Sequence, residues 1–84
     1  MPTIILIHGW RFFFFANEGN EPIHIHCRKS EKDIKYWIDI ENSDIKEAYS
    51  YNTTPPDIRF IKKVIFENFD YIVEKWQEFE AKKR

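Results

Sequence analysis

Ile23-His24-Ile25-His26-Cys27-Arg28 alternates apolar and polar side chains with a period of two, and that alternation decides the fold class. Such a period is the signature of a half-buried β-strand. Successive strand side chains point to opposite faces, so Ile23, Ile25 and Cys27 share one face and His24, His26 and Arg28 the other. The apolar set is expected to look into the core and to leave the imidazoles on the more polar side. Pro22, which lacks a backbone donor, suits the entry to the strand. Gly19-Asn20 before it is turn chemistry, because both residues tolerate positive φ. The preceding loop carries Glu18 and Glu21, so two acids lie within reach of two histidines along the chain.

Working outward, Ser30-Glu31-Lys32-Asp33 is a polar turn, and Ile34 to Ile40 alternates again. A four-residue loop would set Ile23 across from Ile40, Ile25 from Ile38 and Cys27 from Tyr36. The same register would set His24 across from Asp39 and His26 from Trp37. Upstream, Thr3 to Ile7 is β-branched and apolar, and Arg11 to Ala16 holds four consecutive phenylalanines. The two segments read as a hairpin turning at His8-Gly9-Trp10. Phe12 and Phe14 then face one way and Phe13 and Phe15 the other, so the second face also needs a cover, from a helix or a partner. Between Glu41 and Asn52, Ile45, Glu47, Tyr49 and Tyr51 alternate as in an edge strand, although Ser43 could cap a short helix.

Thr54-Pro55-Pro56-Asp57 is a helix start, with a hydroxyl N-cap, proline at the first position and an acid at the third. Ile58, Ile61, Ile65, Phe69, Ile72, Trp76 and Phe79 follow at spacings of three and four and make one apolar stripe. Phe60, Val64, Tyr71, Phe66 and Val73 flank it, which is more apolar surface than one sheet face requires. A homodimer or a protein partner would use the excess. The expected fold is α+β: a small antiparallel sheet of two N-terminal hairpins, with an additional edge strand, covered by one long C-terminal helix.

The chain has 84 residues, which suits one domain, and aromatics at 18% compensate for its small size. Thirteen basic and fourteen acidic residues give a formal charge of −1, so no global charge argues for nucleic acid or membrane. The single cysteine excludes an internal disulfide and suits a reducing cytosol. Neither a cleavable leader pattern nor an apolar run of membrane-spanning length is present, so a cytoplasmic protein is expected. Cys27 reads as an inert core thiol and Trp37 as packing rather than a base-stacking platform.

Gly9-x-Arg11-Phe12-x-Phe14, the block from Asn17-Glu18-Gly19-Asn20-Glu21-Pro22 to His24-x-His26, Lys35-Tyr36-Trp37 and Trp76-x-x-Phe79 together resemble a bacterial family, domain-of-unknown-function family 4160. The likeness covers nearly the whole chain, and the histidine block is its most specific part. It implies a small cytosolic protein, often encoded beside another short protein as a type II toxin–antitoxin pair. Ile23 stands where a second proline is common, and the polar stretch before the helix is longer than in the family pattern.

Three readings of the histidine segment stay open. His24 and His26 could bind a metal with Glu18 or Glu21 as third ligand, although no zinc framework is present. They could act as general base and acid on a phosphodiester of RNA, with Arg11 or Arg28 steadying the phosphate and Glu18 or Glu21 orienting an imidazole, with no metal or cofactor. Or histidines and acids could form a hydrogen-bonded network that orders the loop. The leading expectation is a toxin-like, RNA-cleaving component with a small protein partner. The alternative is a non-catalytic binding module that pairs through an exposed aromatic surface.

Overall fold

The computed structural model describes residues 3–15 and 21–82. Five strands form one antiparallel sheet in sequence order: β1 (Thr3–Ile7), β2 (Trp10–Phe13), β3 (His24–Lys29), β4 (Lys32–Asp39) and β5 (Asp44–Tyr51). Two helices, α1 (Pro55–Glu67) and α2 (Phe69–Lys82), complete the α+β fold. β1 and β2 turn through His8 and Gly9, at φ 49° and 81°. Two consecutive positive values suit the right-handed twist of a hairpin. The second strand ends at Phe13, short of the expected Ala16.

The β3–β4 register differs from the expected one by two residues. His24 lies across from Trp37, Ile25 from Tyr36, His26 from Lys35 and Cys27 from Ile34. The cause is the turn: Lys29 pairs with Lys32, which leaves only Ser30 and Glu31 to close the hairpin, with Ser30 at φ 54°. A slip of two preserves both faces, so the core set survives while the His24–Asp39 pairing does not. Asp39 instead accepts from the backbone and side chain of Asn42 at 3.1 and 2.8 Å in the following turn, and these bonds hold its carboxyl below the ordinary range.

β5 is the expected edge strand, with a bulge that the alternation hid. Lys35 pairs with Tyr49 and Tyr36 with Glu47, so Ala48 is the extra residue. The bulge reverses the parity along the strand. Ile45 and Glu47 therefore share a face with Tyr36, and Tyr49 and Tyr51 share the opposite face with Lys35.

The C-terminal stripe is carried by two helices rather than one long helix. Thr54 caps α1 in a capping box: its hydroxyl accepts from the Asp57 N–H, and the Asp57 carboxylate accepts from the Thr54 N–H at 3.0 Å. Lys32 of β4 pairs with the same carboxylate at 2.8 Å and, as the larger effect, holds it below the ordinary range. At Asn68 the side-chain amide donates to Val64 O at 2.8 Å, and the Asn68 N–H is shared between Val64 O and Ile65 O. The backbone leaves helical geometry at Asn68, at φ −119° and ψ 22°, although its N–H and its carbonyl keep their i→i−4 bonds with Val64 and Ile72. The stripe continues across the break: Ile61, Ile65 and Ile72 are fully buried, and Trp76 and Phe79 are packed against the core. Their main partners are Phe12, Phe14, Ile25, Cys27, Ile34, Tyr36 and Ile38.

A buried histidine layer on the outer sheet face

The face of the sheet turned away from that core is built from the other parity. Arg11 and Phe13 of β2, His24, His26 and Arg28 of β3, Lys35 and Trp37 of β4, and Tyr49 of β5 all belong to it. Three of the six expected site residues, His24, His26 and Arg28, sit on it as the alternation requires. Arg11 joins them across from Arg28. Glu21 reaches them from the segment before β3, and Glu18 lies outside the described residues.

On this more polar face the imidazoles are nevertheless buried: His24 is 1% exposed and His26 2%. Aromatic neighbours exclude the solvent. Phe13 stacks on His26 at 5.5 Å between centroids, and Phe15 meets it edge-on at 4.4 Å. The two imidazoles lie 5.1 Å apart and nearly perpendicular, and His24 touches Trp37 and, from α2, Trp76.

Polar partners offset part of the desolvation. His24 Nδ1 donates to the Pro22 carbonyl at 2.8 Å; a carbonyl can only accept, so this bond fixes the proton on Nδ1. Its Nε2 faces Glu21 Oε2 at 3.7 Å. Glu21 in turn accepts from Lys35 Nζ at 3.1 and 3.3 Å, and the Lys35 ammonium lies 4.4 Å over the Trp37 ring. Tyr49 Oη meets His26 Nδ1 at 3.4 Å.

The two arginines converge on one ring. Arg11 lies 4.7 Å and Arg28 5.4 Å from the Phe13 centroid, and Arg28 is 5.0 Å from that of Phe15. Arg11 Nε donates to Thr3 Oγ1 at 2.6 Å, and Arg28 pairs with Asp33 at 3.4 Å. Both cations are thus shared between planar stacking and hydrogen bonding, a use that suits guanidinium better than ammonium.

Lys35 and Tyr49 belong to the layer but were not singled out as site residues from the sequence. Lys35 could have been found from its parity with Trp37, whereas the bulge at Ala48 hid Tyr49. Cys27 points into the helix-covered core, where burial first and the nearby Asp33 second push its thiol well above the ordinary range. Among the described residues no three of His, Cys, Asp and Glu come together as metal ligands. No described helix is long and apolar enough to cross a membrane.

A small α+β domain with a histidine–aromatic layer on its outer sheet face is the class these features define. Residues 9–77 match the family model described as a domain of unknown function, DUF4160, and the chain belongs to that family. No curated protein and no solved structure matches the chain.

Proposed function

We propose that this protein is a non-catalytic binding module that works in the cytoplasm by pairing with a second small protein, as one component of a toxin–antitoxin-type pair. The observation that carries this reading is the burial of both imidazoles at 1% and 2% exposure. Their Nδ1 atoms are engaged by Pro22 and Tyr49. A general acid or base must reach the proton it moves, either directly or through one water. Rings enclosed by Phe13, Phe15, Trp37 and Trp76 serve instead to hold the β3 entry in place.

A second reading has its own support: the Arg11 and Arg28 guanidiniums meet at Phe13, beside His26. A guanidinium fork matches phosphate oxygens bidentately, so two of them against one ring suit a phosphodiester. In an RNA-cleaving protein His24 and His26 would move the protons, Arg11 and Arg28 would hold the phosphate, and Glu21 would orient His24, with the layer opening to admit the strand.

The two readings separate when the purified chain is incubated with single-stranded RNA beside a His26→Gln variant of equal circular dichroism, while the tagged chain is co-expressed with the product of the gene adjacent to its own. Co-purification without RNA cleavage is the expected result. Cleavage by the wild type that is lost in the folded variant would displace the binding-module reading in favour of the enzyme.

A further inference from the structure

The junction of the two helices forms a surface cavity of about 340 Å³ lined by Ser43, Phe66, Glu67, Asn68, Phe69, Asp70 and Tyr71. Its chemistry is one-sided. Two large rings stand in solvent, Phe66 at 46% and Tyr71 at 41% exposure, and two carboxylates stand with them, yet no lining residue is basic. Among the described residues neither Glu67 nor Asp70 forms an ion pair. The Tyr71 ring already accepts a cation: the Lys75 ammonium lies 5.5 Å from its centroid.

From this we propose that the cavity at the helix junction is a docking site for a cationic side chain, an arginine or lysine presented by the protein partner. The inference rests on the binding-module reading and names the chemistry of its contact. A guanidinium or ammonium entering between Phe66 and Tyr71 would gain the ring faces and the Glu67 and Asp70 carboxylates together. An apolar residue would bury both carboxylates without a partner, and an acidic one would meet their charge, so the cavity selects by sign.

The test is an amide and aromatic NMR titration of the full chain with a hexa-arginine peptide at low salt, with hexaglutamate as control. The expected result is a set of shifts centred on Ser43, Phe66 and Tyr71 with hexa-arginine and none there with hexaglutamate. Phe66→Ala/Glu67→Gln, both at exposed positions, should weaken the response about tenfold. Shifts spread evenly over the other acids of α2, or a response unchanged in the variant, would overturn the inference. Failure of the broader reading looks different. If the neighbouring protein co-purifies with wild type and variant alike, the module stands and the cavity does not. If hexa-arginine docks at the cavity but no partner co-purifies, the cavity stands and the pairing does not.

Discussion

Both faces of the sheet contain fully buried side chains, held there by different means. On the helix side Phe12, Ile25, Cys27 and Ile34 are fully buried among aliphatic and aromatic groups. On the other side Phe13 is equally inaccessible, but its neighbours are two guanidiniums, an imidazole and another ring. The first face is held by non-directional burial. The second is held by partners that must be present and aligned, and so its stability depends on individual hydrogen bonds and charges.

The most direct way to break this comparison is to truncate one ring on each face. Phe12→Ala should cost about 4 kcal/mol, since a cavity among Ile25, Cys27 and the helices stays dry and rigid, whereas Phe13→Ala should cost about 3 kcal/mol because the flanking arginines can relax into the space. Urea denaturation reads both. Against the roughly 5–15 kcal/mol that stabilises a whole domain, either loss is large. A Phe13 loss equal to or above that of Phe12 would mean that the outer layer is a second apolar core.

A smaller effect sharpens the same contrast. Lys35 has a nearly buried side chain and bonds to both oxygens of Glu21. Removing only the acceptor in Glu21→Ala leaves the ammonium without this partner and should cost about 1–3 kcal/mol, while Glu21→Ala/Lys35→Met together should cost less than the single change. A double variant as unstable as the sum of the two singles would show that the pair is not coupled.

The faces themselves were legible in the sequence because side-chain parity survives any even slip in register. That is why His24, His26 and Arg28 were placed together while the His24–Asp39 pairing was not realised. Turn length decides register, and a polar tetrapeptide does not reveal that Ser30 takes a positive φ and closes the hairpin with two residues. The bulge at Ala48 and the break at Asn68 escaped for a related reason. Neither interrupts the local pattern: Ile65, Phe69 and Ile72 keep helical spacing across the break, which is confined to the backbone angles of the single residue Asn68. Burial of the imidazoles was not legible either, because the rings that enclose His26 come from Phe13 and Phe15 of another part of the chain.

The smallest effect concerns the polar group that the helix-covered face leaves unserved. Tyr36 is 1% exposed, and among the described residues its hydroxyl has no hydrogen-bond partner. Burial first, then the charges of Glu47 and Cys27, push its phenol from 10.0 up to about 12. The sign follows from linkage. Between those values the unfolded chain releases a proton that the folded chain keeps, so stability falls as the pH rises through this window. Cys27, whose thiol is also pushed up, acts in the same direction. Tyr36→Phe removes an unsatisfied hydroxyl without changing the ring, so at neutral pH it should be neutral or stabilising, by up to about 1 kcal/mol. Its denaturation midpoint should also decline less than that of the wild type between pH 10 and pH 12. A Tyr36→Phe protein that is clearly less stable at neutral pH would show that the hydroxyl has a partner in solution. The helix-covered face would then be organised by polar contacts as well, and the distinction between the two faces would be lost.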